Sequence, residues 1–231
     1  MDLTPPMADG DVHTAYANPR PEVTPLVPRS ARSVLDLGCS SGVMGAALQA
    51  RGHRVVGVEL DPQLAALARS RLATVLEADI EVLAAEGAGL GGPFDCVVAA
   101  DVLEHLRDPW LVVRWARTLV GQGGSLVVSV PNIRHIRTFW TLAARRRWPF
   151  EDVGIFDRSH LRFFARRNLD ELLAGTDLRI VELRRSYLVS LDYSSRWNRL
   201  APYLGDLGTL QFVFRAEPAQ SSTEMSGTGA P

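Results

Sequence analysis

The 231 residues suffice for one α/β domain, and a net charge of −1 with 46% hydrophobic residues describes an ordinary globular chain. That balance gives the chain as a whole no affinity for nucleic acid or an anionic membrane, and no apolar run approaches the roughly 18 residues that span a bilayer. All 25 basic residues are arginine, which excludes chemistry that depends on a Schiff-base or P-loop lysine.

Residues 1–30 are rich in proline and polar side chains and predict a flexible arm, with a short ordered part around Tyr16 to Leu26. Met1 to Pro6 lacks the basic and apolar regions of a signal peptide, so a cytoplasmic location is expected. From 33 to 130 apolar runs alternate with helical periods. Strands are predicted at 33–37, 54–59, 74–78, 94–100 and 124–130. Leu64, Leu67, Ala68 and Leu72 recur at helical spacing after the cap Asp61-Pro62. Leu111, Val112, Trp115 and Leu119 do the same after Asp108-Pro109, with Gly121 as the stop. This alternation predicts a parallel sheet with right-handed crossovers. Beyond Val130 the spacing predicts an amphipathic helix over 132–148, with Ile133, Ile136, Trp140 and Ala143 on one face. An aromatic loop, a helix over 166–174, and strands near 178–187 and 209–215 follow, the last two separated by a segment with Tyr193 and Trp197. The expected organisation is an arm (1–30), an α/β domain (31–216) with a cap insertion at about 131–165, and a disordered tail (217–231). Cys39 and Cys96 have no zinc-site spacing, and no disulfide is expected between them.

The stretch Val34-Leu35-Asp36-Leu37-Gly38-Cys39-Ser40-Ser41-Gly42 reads as a buried strand, a tight turn and a helix start near Gly42. Glu59 closes the next apolar run. This is the logic of a nucleoside-binding βαβ unit, in which small residues admit the ligand and a carboxylate accepts from ribose hydroxyls. A dinucleotide fingerprint would need glycine where Ser40 and Val43 stand, which disfavours an NAD-dependent oxidoreductase.

Asp36-x-Gly38-x-Ser40-x-Gly42 resembles the first motif of class I S-adenosylmethionine-dependent methyltransferases, with serine at the usual middle glycine. The resemblance implies a Rossmann-like, doubly wound, mostly parallel seven-stranded sheet with an antiparallel last strand and a helical, aromatic cap. It implies S-adenosylmethionine as cofactor, held by Asp36, Gly38, Cys39, Ser40 and Gly42 in the turn. Glu59 would bind the ribose, with Leu60 beside it. Asp79 would accept from the adenine amino group and Ile80 would pack on the ring; a helix N-cap is the competing role for Asp79, and the two can coexist. Phe94 to Leu106 resembles the fourth strand and the loop where methionine and acceptor meet, with Asp101 at the strand end. Its Glu104-His105 pair resembles quinone-biosynthesis O-methyltransferases and many sugar or natural-product relatives.

His105 is a candidate general base or, equally, a structural histidine; His160 and His135 follow it in that order. One carboxylate and one histidine are too few to assign a metal. Segments 129–135 and 154–164, together with Tyr16 and Arg20-Pro21-Glu22, resemble bacterial methyltransferases of surface-polysaccharide and secondary-metabolite pathways. Tyr16, Arg134, Asp157 and Arg158 are the expected acceptor contacts. Residues 132–167 carry nine arginines against Glu151, Asp152 and Asp157, either a solvated basic face or a cap for an acidic acceptor. The expected reaction is O-methylation of a small-molecule or sugar or glycan acceptor, without nucleic acid as partner and with the oligomeric state unassigned. Rival readings are an N- or C-methyltransferase and a non-catalytic cofactor-binding partner of a glycosyltransferase complex.

Overall fold

A computed structural model describes residues 19–187 and 200–219. Tyr16, the Tyr193–Trp197 segment and the tail from residue 220 lie outside the described residues. Seven strands form one sheet in the order β3-β2-β1-β4-β5-β7-β6. They are β1 (Ser33–Leu37), β2 (Arg54–Glu59), β3 (Thr74–Glu77), β4 (Phe94–Ala100), β5 (Val120–Pro131), β6 (Leu178–Ser186) and β7 (Gln211–Pro218). Pairs among β1 to β5 are parallel, and β7 runs antiparallel to both β5 and β6. Strand order therefore reverses beside β1, whose two neighbours are β2 and β4. In such sheets ligands bind at that reversal, beyond the carboxyl ends of the strands.

The helices are α1 (Val43–Gln49), α2 (Pro62–Arg69), α3 (Ile80–Glu86), α4 (Pro109–Leu119), α5 (Ile136–Arg145) and α6 (Asn168–Leu172). Both sheet faces are covered. On one side α3, α4 and α6 contribute Ile80, Val112, Val113, Trp115, Leu169 and Leu172 to a core built on Leu35, Val97 and Val128. On the other, Met44 and Leu48 of α1, Ala68 of α2, and Val23, Leu26 and Val27 pack on Val34, Cys96, Val98 and Val127. Burial on both faces explains why β1 and β4 read as near-continuous apolar runs. Within the expected arm, Arg20 to Leu26 falls in its short ordered part, and packing extends beyond it: Val23, Leu26 and Val27 are buried. Its prolines suit the short 3₁₀ turn Thr24–Leu26.

The cap motifs act as their spacing implies. Asp61 accepts from the Gln63 and Leu64 amides at 2.7 and 3.0 Å, and Asp108 accepts from Leu111 N at 2.9 Å. The chain leaves α4 at Leu119 and enters β5 directly, so Gly121 lies in the strand rather than ending the helix. The predicted 132–148 helix is shorter, because its first residues are used elsewhere. Asn132 Nδ2 donates to the Asp206 and Thr209 carbonyls at 2.6 and 2.8 Å, and its backbone amide donates to Leu210 O at 2.9 Å. The helix starts at Ile136 and ends with Arg146 in a left-handed conformation. Trp148 lies past that end and packs edge-on against Phe156 and Phe163, with ring centroids 4.9 and 5.4 Å apart.

Candidate active site

The turn after β1 is shaped from below. Gly38 has φ +71°, and a Cβ there would fall 2.8 Å from Val102 Cγ2, so the turn lies against the loop that follows β4. Gly42 has φ +79°, and its Cβ would meet Ala68 Cα at 3.0 Å, which lets α1 approach α2. Ser40 takes φ +51° without being glycine, at a cost of about 1–2 kcal/mol. Its amide donates to Glu59 Oε2 at 2.7 Å, while Glu59 Oε1 accepts from Asp61 N at 2.9 Å. One half-buried carboxylate thus ties the β1 turn to the end of β2. Cys39 packs closely here, its Sγ lying 2.6 Å from where a Gly57 Cβ would be, and its amide donates to Val58 O at 3.0 Å.

Asp36 lies beneath this turn, fully buried, and neither of its carboxylate oxygens has a hydrogen-bond partner. Burial, reinforced by the charge of Glu59 and opposed by Arg20, pushes its pKa up to about 7. Asp101 follows β4 with φ +51°. Its carboxylate pairs with Arg20 and accepts from Gln211 Nε2 and, at 2.5 Å, from Ser129 Oγ. Arg20 has φ +54° and also meets Glu22 at 3.2 Å. Arg20, Ser40 and Asp101 are three of the four non-glycine residues with positive φ among the described residues. Backbone strain of this kind gathers at functional sites.

Asp79 caps α3, its Oδ1 accepting from Glu81 N at 2.8 Å, so the capping role is met by geometry. Ile80 is buried in the core beside it, whereas Leu60 leaves 63% of its surface exposed directly after Glu59.

Beyond Asp101, a 3₁₀ turn at Leu103–His105 and the loop 155–164 bring three titratable groups together. The Leu161 and Arg162 amides donate to Glu104 O at 2.8 and 3.0 Å, fixing the loop on the turn. The rings of His105 and His160 meet edge-on at 4.8 Å, and His160 Nε2 lies 4.0 Å from Glu104 Oε1. Glu104 is 1% exposed, and burial, then the charge of Asp101, pushes its pKa well above the carboxylate range. Burial, then His105, lowers the pKa of His160. Burial thus disfavours the charged form of both groups. Glu104, His105 and His160 hold donor atoms within 4.8 Å of one another, a thin set beside the four or more ligands of a divalent ion.

The orientation of His105 follows from counting protons. Ser159 Oγ lies 2.5 Å from Asp157 Oδ1 and 3.0 Å from His105 Nδ1. A hydroxyl has one proton, and the carboxylate can only accept. Ser159 therefore donates to Asp157 and accepts from His105 Nδ1–H. That assignment leaves Nε2 of a neutral His105 with the lone pair. Asp157, one of the expected acceptor contacts, thus orients His105 through Ser159.

His135 is corrected from base to cap: it is 1% exposed, and its Nδ1 accepts the Arg137 amide at 3.2 Å at the start of α5. Arg158 is paired with Asp152 at 2.8 Å, and Arg134 is exposed. Sequence reasoning missed Ser129, Gln211 and Ser159 as site residues. It quoted Arg20 without giving it a role. The Asp157-x-Ser159-His160 spacing was the signal available for Ser159; nothing local marks Gln211.

A profile described as a methyltransferase domain matches residues 11–183. A ubiquinone biosynthesis O-methyltransferase from Xylella fastidiosa is 36% identical over 46% of this chain and 44% of its own, so the match spans less than half the length of that relative. Among solved structures, an S-adenosylmethionine-dependent methyltransferase from Mesorhizobium loti superposes with TM-score 0.62 at 19% identity, over 90% of this chain and 98% of the other. A magnesium protoporphyrin IX methyltransferase from Synechocystis, solved with bound SAH, gives TM-score 0.57 at 15% identity over 80% and 74%.

Proposed function

Because the chain belongs to the class I S-adenosylmethionine-dependent methyltransferases, we propose that it transfers a methyl group from S-adenosylmethionine to a hydroxyl oxygen of a small-molecule or sugar acceptor. When bound, S-adenosylmethionine supplies an electrophilic methyl carbon on a sulfonium. The observation that carries the reading is the set of acidic groups at the reversal of strand order. Asp36 holds an unpartnered buried carboxylate there, and Glu59 buttresses the turn from the end of β2. A carboxylate offers about four acceptor positions, so Glu59 keeps capacity for ribose hydroxyls after accepting two amides. The exposed Leu60 suits the adenine face. A diphosphate fits poorly, since the Ser40 amide it would need already serves Glu59.

In this reading His105 Nε2 takes the acceptor's hydroxyl proton, while the bound sulfonium would supply the methyl group and keep the bonding electron pair as a neutral thioether. The resulting imidazolium is stabilised through Nδ1–H, Ser159 and Asp157. Alignment and exclusion of water supply the rest of the acceleration. His160 packs on the base and keeps its ring in place.

The acceptor is read as neutral or acidic, with the arginine-rich 132–167 segment at hand for an anion. Support for oxygen over nitrogen or carbon is the tautomer that proton counting assigns to His105 and the likeness to a named O-methyltransferase. The test is His105→Gln beside His160→Gln, with turnover on catechols and on free sugars and cofactor binding measured separately. His105→Gln is expected to lose turnover and keep cofactor affinity. Wild-type turnover in that variant would remove the base from the mechanism.

A further inference from the structure

Helix α5 is turned inside out. Its polar side holds Thr138 and Thr141, which are buried, while Phe139, Trp140 and Leu142 point away from the protein at 49%, 67% and 44% exposure. Amphipathic helices ordinarily bury the apolar stripe. The loop beyond adds Phe150 and Val153, at 71% and 59%. An exposed aromatic cluster of this size marks an interaction surface.

The cluster is bordered by an excess of positive charge. Residues 132–167 have nine arginines and three carboxylates, a surplus of six; with the whole chain at −1, the remainder carries −7. Arg137 and Arg158 are paired with Glu151 and Asp152. Among the described residues, Arg145, Arg146 and Arg147 have no carboxylate within ion-pair distance at the end of α5.

We infer that α5 and the 145–153 loop form a docking surface for an anionic lipid bilayer. Tryptophan and phenylalanine on an amphipathic helix enter the headgroup boundary, and flanking arginines draw it to anionic lipid. A second copy of the chain is the poorer occupant, since a two-fold interface would press two positive patches together. The charge asymmetry orients the protein, with the acidic remainder held off the surface. The loop 155–164 that fixes His105 continues from this patch, so docking brings the candidate active site close to the bilayer.

The experiment is co-sedimentation of the full chain with phosphatidylcholine vesicles and with vesicles containing phosphatidylglycerol. It compares the wild type, Phe139→Ser/Trp140→Ser, and Arg145→Gln/Arg146→Gln/Arg147→Gln. All five positions are solvent-exposed, so the variants keep the fold, as unchanged thermal unfolding will verify. Binding is expected to the anionic vesicles only and to weaken with salt. The triple arginine variant should lose about a hundredfold in affinity, at about 1 kcal/mol per arginine, and the aromatic variant at least tenfold. Two results would overturn the inference. One is equal sedimentation of wild type and both variants. The other is a concentration-dependent dimer, or an acidic protein partner, lost in the aromatic variant without vesicle binding.

Discussion

Asp36→Asn tests the electrostatics of the site before any acceptor is known. The carboxyl group is fully buried with no hydrogen-bond partner, and its pKa stands near 7 against an ordinary 3.8. That difference puts a penalty of about 4 kcal/mol on the ionised form in the folded protein. Between pH 3.8 and 7 the folded chain holds a proton on Asp36 that the unfolded chain has released. Stability therefore falls as pH rises through that window, levels off above pH 7, and is free of the penalty below the unfolded pKa. Asparagine cannot ionise, though its amide inherits the lack of a partner at about 1–2 kcal/mol. The variant should thus be more stable than wild type by about 2–3 kcal/mol at pH 8. Its advantage should shrink by about 3 kcal/mol on going to pH 5. Urea unfolding at pH 5, 6, 7 and 8, without cofactor, measures this directly. A variant that is less stable at pH 8, or whose difference from wild type ignores pH, would refute the reasoning. Cofactor binding should weaken in the same variant, so stability and function move in opposite directions.

Glu59→Ala removes two charge-assisted bonds, one from the Ser40 amide in the turn and one from the Asp61 amide after β2, each worth about 1.5–3 kcal/mol, and should weaken S-adenosylmethionine binding at least a hundredfold by calorimetry. Ser159→Ala should lower kcat about ten- to a hundredfold at neutral pH while leaving cofactor affinity unchanged. Its deficit should narrow with acceptors whose hydroxyl is already ionised at the assay pH; a uniform deficit would count against Ser159 orienting a base. Gly38→Ala forces a Cβ to within 2.8 Å of Val102 at φ +71°, and should cost about 2–3 kcal/mol in denaturant unfolding.

The parallel core was legible because burial on both faces writes long apolar runs, and the caps at Asp61 and Asp108 mark helix starts by local chemistry. The turn around Gly38 and the carboxylate at Glu59 were legible for the same reason: close approach and strand ends leave a sequence trace. The region after Val130 was not. Asn132 and Ile133 have helical spacing, yet Asn132 is drawn to carbonyls 74 and 77 residues away, a demand no local pattern carries. The spacing of Ile136, Trp140 and Ala143 marks one side of α5, but periodicity adds neither Phe139 and Leu142 to it nor the outward direction they share. His135 and His105 look alike in sequence; one caps a helix and the other is oriented by Ser159 and Asp157, and only three-dimensional neighbours separate them. Gln211 reaches Asp101 from the far end of the chain, so nothing near either residue predicts the contact.

The central claim is methyl transfer to oxygen. Incubation of the purified chain with S-adenosylmethionine deuterated in the methyl group, and with a panel of catechols, phenolic acids and sugars, tests it by mass spectrometry of the products. A labelled methyl ether is expected from at least one hydroxyl acceptor, formed by the wild type and lost in His105→Gln. Labelled methyl appearing only on nitrogen or carbon, or undiminished transfer in His105→Gln, would contradict it.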